Sequence, residues 1–397
     1  MIGKIFDTKT NSPISAVVEA CTNNISSTPT AEQKAEGKKI AVERIGRLFE
    51  SGELKMEEHY NMREVFEHFC DASLNDSAKR VAEAIHSSGF AYITSRALAP
   101  ITIEEYKDGL SGADNLVTEI PGNSDLRDVP VPGMTAADGL DLVGDGETYP
   151  QTTLKEKYCL IENFNFGKII VLTKQSIAFD KTGDLISRAR GIANKAGTLR
   201  HQIIVQKTFG IACTATREGA TNNFRYKGTA ASIFSNDHTA IDGVTNDNIS
   251  TTAFSYDGLK ALWLLLMKQK DEAGDYINTW PDMVVVPNAL YEEALRTMNS
   301  QGRYDTANRS DNQLAKLFGK VPMIFTSPVL DDASTSLYYL GSPRKQTVWV
   351  WARRFQTETR GTDSDAAFDS DRVFMVKISF MGNAGSIDYR HIVRGGS

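Results

Sequence analysis

TTLKEKYCLIENFNFGKIIVLTK, residues 152–174, and DLISRARGIANKAGTLRHQIIVQKTF, residues 184–209, are the two stretches whose reading decides the fold. The first has β-branched and aromatic residues on both sides of Asn163-Phe-Asn-Phe-Gly167, which spells two strands joined by a turn. It predicts an extended β-hairpin over Thr152–Thr173, with Leu154, Tyr158, Leu160, Phe164, Phe166 and Ile169 as its candidate contacts with another copy. In the second, Leu185, Ala189, Ile192, Ala196, Leu199 and Ile203 recur at alternating spacings of four and three, so they line one face of a helix over 184–209. Such a helix is about 39 Å long at about 1.5 Å per residue. A projecting arm on a long beam suits a protein that lies against copies of itself better than one that closes around a substrate.

Composition narrows the classes. The 397 residues are 41% hydrophobic and 24% charged, enough for two or three packed domains and too apolar for a disordered chain. The densest apolar run, Leu259–Met267, contains Lys260 and is far shorter than the roughly 20 residues that span a bilayer, so no membrane partner is expected. MIGKIFDTKT lacks the apolar core of a signal peptide, which points to synthesis and assembly in the cytoplasm. Cys21, Cys70, Cys159 and Cys213 form no close pair and have no zinc spacing. A net charge of -6 argues against a dedicated reader of nucleic acid. Charge is nevertheless segregated. Arg188, Arg190, Lys195, Arg200 and Lys207 crowd the long helix, while Asp138, Asp141, Asp145 and Glu147 cluster before it and Asp363, Asp365, Asp369 and Asp371 near the C-terminus. Patches of opposite sign suit either pairing with neighbouring copies or plain solvation.

Six segments follow along the chain. Residues 1–95 read as a separate helical region, with stripes at Ile40, Ile45, Leu48 and Phe49, at Met62, Val65, Phe66 and Phe69, and at Val81, Ala84 and Ile85. Residues 96–146 are rich in Gly, Pro and Asp and read as an extended arm, residues 147–175 as the hairpin, and 176–250 as the long helix followed by short strands and loops. Residues 251–345 read as a compact α/β unit: a helix from Tyr256 capped by Ser255, a strand Met283–Val286 apolar on both faces, a helix from Ala289, a short helix stopped by Gly319, and a strand ending at Thr326. Residues 346–397 return to strands, with Arg372–Phe380 expected to turn at Gly382.

Templates for chemistry do not fit. There is no P-loop, no H-E-x-x-H, no G-x-S-x-G elbow, and the aspartates of 138–147 miss the spacing of an EF-hand. The six histidines are dispersed, and neither a cofactor nor catalytic residues are expected. Trp349 and Trp351 share one strand face, where packing outweighs a stacking platform for single-stranded nucleic acid.

Taken in order, the pieces resemble the major capsid proteins of tailed bacteriophages, with the α+β Hong Kong 97-type fold. The likeness rests on Glu147-Thr-Tyr149 before the first strand and Phe166-Gly-Lys-Ile-Ile-Val-Leu-Thr173 running through Asp180 into the long helix. It continues with Asp282-Met-Val-Val-Val-Pro287, Leu317-Phe-Gly319-Lys-Val-Pro322, the strand Asp371–Phe380, and Gly382-Asn383-Ala-Gly385. The resemblance implies an icosahedral shell of hexamers and pentamers around packaged double-stranded DNA that is touched without sequence reading, with portal, scaffold or decoration proteins as further partners. It implies that the hairpin overlaps an adjacent subunit, that 184–209 is the spine helix of a peripheral domain, and that 251–345 is an axial domain. Some relatives cleave off an N-terminal scaffolding segment, which residues 1–95 resemble. Some join a hairpin lysine to an asparagine of another subunit, for which Lys155, Lys157 or Lys168 and Asn383 are the candidates here. An encapsulin-like nanocompartment shell and an α/β enzyme stay open beside this reading.

Overall fold

Separate hydrophobic cores in two compact units organise the chain in the computed structural model, which describes residues 13–23, 31–61, 65, 87–122, 129–134, 156–179, 181–213, 215, 223–226, 229–239, 245–271, 274–300, 302, 312–319, 322–360 and 372–396. The first compact unit comprises Met1–Ser111, Asn165–Thr198 and Phe355–Phe380; the second comprises Gly112–Phe164, Leu199–Arg354 and Met381–Ser397.

In the first unit the N-terminal helices Pro13–Asn23, Ala31–Glu50 and Ser87–Leu110 bring Ile14, Ile45, Phe49, Phe90 and Ile93 into one core. Ile170 and Leu172 of the strand Phe164–Thr173, Leu185 and Ala189 of the long helix, and Phe374, Val376 and Ile378 of Arg372–Ser386 complete that core. The N-terminal region is thus not separate: it supplies one wall of a core whose other walls come from far along the chain. Phe90 meets the edge of Phe374 at 5.5 Å, and Tyr106 stacks on Phe355 at 4.3 Å. Residues 96–110, expected as extended arm, are helical. Pro100 sits inside that helix, and the Thr102 hydroxyl donates to the Ala99 carbonyl at 3.0 Å beside it. The expected stripe Val81–Ile85 and, apart from Val65, the stripe Met62–Phe69 lie outside the described residues.

The long helix spans Thr182–Thr208, close to expectation. Where it crosses Ser87–Leu110, Gly197 and Gly109 stand back to back. A Cβ added at Gly197 would sit 3.0 Å from the Gly109 Cα and overlap the Tyr106 carbonyl oxygen. Only two glycines let the backbones come this close.

The second unit carries a sheet in the order Met323–Thr326, Met283–Val286, Tyr338–Gly341, Ile392–Gly395, the first two strands parallel and the others antiparallel. Met283–Val286 is buried at all four positions, as its unbroken apolar run requires. The helix Tyr256–Met267 covers the sheet with Leu259, Leu262 and Leu266, and its first turn is capped by Ser255, whose Oγ accepts from Gly258 N at 3.0 Å. Asn288–Asn299 adds Ala294 and Met298 to that core. The short helix Leu314–Leu317 stops at Gly319, whose φ of +73° is the left-handed conformation that favours glycine at a helix end.

Three sequence expectations about strands are corrected. Glu156–Ile161 and Phe164–Thr173 both form, yet they do not pair as a hairpin: Glu156–Ile161 lies antiparallel between Val129–Met134 and Asn223–Tyr226, while Phe164–Thr173 lies beside Arg372–Ser386. The cause is that the two strands serve different cores. Ile161 packs with Val348 and Val350, whereas Ile170 and Leu172 enter the first unit's core. Second, Thr347–Arg360 is one continuous strand, where the sequence reads as two, Thr347–Trp351 and Phe355–Thr359. Third, Arg372–Ser386 runs straight through Gly382. That glycine makes no turn; a Cβ there would lie 2.5 Å from the Val350 carbonyl oxygen and 3.1 Å from the Trp349 indole nitrogen.

Candidate assembly surfaces

The residues singled out from the sequence divide between buried, exposed and undescribed positions. On the long helix, Leu185, Ala189 and Ile203 are buried, but Ile192, Ala196 and Leu199 are only half-buried. A second row, Ile186, Ala193, Gly197, Arg200 and Ile204, each one residue after a predicted position, is buried as well. Hydropathy misses it because a glycine and an arginine hold two of its positions.

Arg200 is 3% exposed and lies in the second unit. Its Nη2 contacts Asp114 Oδ1 at 2.8 Å and Glu119 Oε1 at 2.6 Å, and its guanidinium lies over the rings of Trp349 and Trp351 at 4.8 and 4.6 Å. The two indoles do share a face, as alternation predicts, and that face is filled from within by a cation; both are buried and offer nucleic acid nothing to stack on. Of the other basic residues on this helix, Arg188 pairs with Asp184 at 3.0 Å, Arg190 with Glu105 at 3.3 Å, and Lys207 is buried. Lys195 alone of the five is exposed and makes no ion pair among the described residues. The basic stripe is therefore largely spent inside the subunit. The acidic groups Asp138, Asp141, Asp145 and Glu147, and Asp363, Asp365 and Asp369 with Asp371, lie outside the described residues, as do Leu154 and Lys155.

Of the remaining strand residues, Leu160 and Phe164 are half-buried, Phe166 packs on Phe380 at 5.2 Å, and Ile169 is 55% exposed. Tyr158 and Lys157 lie on Glu156–Ile161, opposite Pro132 and Gly133. Lys168 is exposed. Asn383 is fully buried: its Nδ2 donates to the Glu162 carbonyl at 2.9 Å and its Oδ1 accepts from Ala384 N at 2.9 Å. Its amide is held within its own subunit, so the candidate lysine–asparagine link lacks an accessible asparagine. Larger exposed apolar side chains are Phe179 in the first unit and Tyr276, Trp280, Met323 and Leu264 in the second.

Titratable groups in the second unit are tuned by burial. His238, stacked on Tyr389 at 4.0 Å with Nε2 3.1 Å from the Ile233 carbonyl, has its pKa lowered by desolvation, partly offset by that carbonyl and by Asp388, Asn248 and Asp237. Desolvation pushes both Tyr338 and Tyr339 up to about 12. Among the described residues no group of three or more His, Cys, Asp or Glu is placed to hold a metal ion, and no helix is long and apolar enough to cross a membrane.

The family model described as phage capsid protein matches residues 165–395, well over half of the chain, and the chain belongs to that family. Its role is that of a major capsid protein, the repeating subunit of a phage head shell, and its mixture of helices and sheets agrees with the α+β expectation. No curated protein sequence matches. Among solved structures, the chain is similar to the capsid of Myoviridae phage XM1 (13% identity, TM-score 0.45, 72% of this chain and 92% of that one). It is also similar to the Cyanophage Pam1 capsid (14%, 0.43, 70% and 87%) and the capsid of the native GTA particle (11%, 0.46, 72% and 89%).

Proposed function

We propose that this capsid subunit builds the icosahedral head of a tailed bacteriophage as hexamers and pentamers, assembles in the host cytoplasm, and encloses double-stranded DNA. The match of the phage capsid protein model across residues 165–395 carries this reading. In it, the block from Tyr256 to Gly341 with Ile392–Gly395 is the axial domain, and its exposed Leu264, Tyr276, Trp280 and Met323 meet symmetry mates around a capsomer. The first unit, with the N-terminal half of the long helix, acts as the peripheral domain. The arm that reaches a neighbour is the sheet of Val129–Met134 and Glu156–Ile161 in place of the hairpin once expected. Contacts of modest area suffice, because each subunit makes many of them and a shell multiplies their effect.

Contact with DNA is through phosphates and non-specific, and portal, scaffold or decoration proteins bind the assembled surface. The experiment is negative-stain imaging of the purified protein, with nuclease-protected content extracted from the particles. Closed shells holding double-stranded DNA are expected in particles from infected cells. A monomer at high concentration, or shells filled with a cargo protein, refutes the proposal.

A further inference from the structure

A short strap crosses the second unit, and its two halves are held by different forces. In its first half, Ala113, Leu116 and Val117 are buried apolar anchors. Its second half, Thr118–Gly122, lies as a parallel edge strand on Val348–Trp351, yet Thr118, Glu119 and Pro121 are exposed and only Ile120 and Gly122 are partly buried. Polar contacts hold it instead. Gly122 N donates to the Trp351 carbonyl at 2.8 Å and Thr118 Oγ1 to the Arg344 carbonyl at 2.8 Å, while Arg344 donates from Nε and Nη2 to the backbone and side-chain oxygens of Asn115 at 3.1 and 2.9 Å. The strongest contact is Arg200, whose one guanidinium nitrogen binds Asp114 and Glu119 together, one carboxylate on each side of Val117.

We propose that Thr118–Gly122 is a releasable strap hinged at Val117, and that Arg200 is the positioning residue that latches it. A planar cation is needed there. The guanidinium must lie flat on two indoles while pointing donors at two carboxylates, which an ammonium cannot do. The buried cation stays with the long helix and the tryptophans and Asp114 stays with the anchored half, while Glu119 travels with the strap. The strap leads within a few residues to Val129–Met134, which pairs with Glu156–Ile161 over six positions, so latching fixes where the arm strand is delivered. This last step rests on the proposed role of that sheet as the arm reaching a neighbour.

Hydrogen exchange on unassembled full-length subunits tests the latch. In R200M, which keeps the stem packed and removes the charge, exchange of the amides of Thr118, Glu119, Ile120 and Gly122 rises about tenfold or more, the factor a charge-assisted hydrogen bond supplies. Amides of Met283–Val286 keep their protection, and R200K recovers part of the strap's. The double variant D114N/E119Q leaves the buried core untouched and loosens the strap in the same way, so it decides the matter if R200M does not fold. Unchanged exchange at 118–122 in the double variant, or equal loss across Met283–Val286 in a folded R200M, overturns the latch. Particle yield from the same variants is read separately. A loosened strap with normal shells refutes only the delivery step, and a subunit that never forms shells refutes the function while leaving the latch standing.

Discussion

Replacing Gly197 by alanine is expected to destabilise the first unit, although alanine is the better helix former. Propensity favours the change by about 1 kcal/mol. Against it, the new Cβ would lie 3.0 Å from the Gly109 Cα and 3.1 Å from its carbonyl carbon, and would overlap the Tyr106 carbonyl oxygen. Carbon atoms rest at about 3.5–4.0 Å, and these neighbours are backbone that no rotamer change can move. The two helices must separate, at the upper end of the roughly 1–3 kcal/mol that overpacking costs. The net effect is a loss of about 2 kcal/mol. The same substitution at Gly191, on the same helix with nothing within 4 Å of the added carbon, is expected to stabilise by about 0.5–1 kcal/mol. The two variants thus differ by about 2.5–3 kcal/mol, roughly a hundredfold in the folding constant. Urea unfolding of unassembled subunits, followed by far-UV circular dichroism, measures this; tryptophan fluorescence is blind to it, since all four tryptophans lie in the second unit. If Gly197→Ala and Gly191→Ala shift the midpoint in the same direction, the close crossing of the two helices is refuted.

Ala193→Asp should unfold the first unit more readily than Ile192→Asp, because Ala193 is fully buried and Ile192 only half so; equal thermal shifts would restore the stripe read from hydropathy. The lowered pKa of His238 means that the unfolded chain takes up its proton first, so this residue's contribution is complete above about pH 6.5 and is lost as pH falls toward the folded value. His238→Gln should flatten the slope of stability between pH 7 and 5, and an unchanged slope would contradict the assignment. Tyr338 and Tyr339, raised to about 12, contribute fully below about pH 10 and lose that contribution as pH climbs toward 12, on the order of 2–3 kcal/mol each. Tyr339→Phe should therefore reduce the alkaline loss of stability in a pH titration of unfolding; a loss as steep as the parent's counts against it.

Helices and buried strands were the legible part of this chain. The four-and-three spacing in 184–209, the valines of Met283–Val286 and the Ser255 cap each carry their signal within a few residues. The assembly surfaces were less legible. Tyr158, Leu160 and Phe164 announced strands, but nothing near them tells that Val129–Met134, with its two prolines, lies alongside the first of these strands. Arg200 reads as a surface cation until the two tryptophans some 150 residues later are brought beneath it.

Backbone geometry and hydrophobic period act over one or two turns, so the order of residues alone settled which segments coil and which extend, and the likeness to phage capsid proteins followed from that order. Which strand pairs with which, and which helix face turns inward, were decided only when distant segments met. Core burial is shared among all of them, and a Gly109–Gly197 contact or a cation between Asp114, Glu119 and two indoles exists only in that meeting.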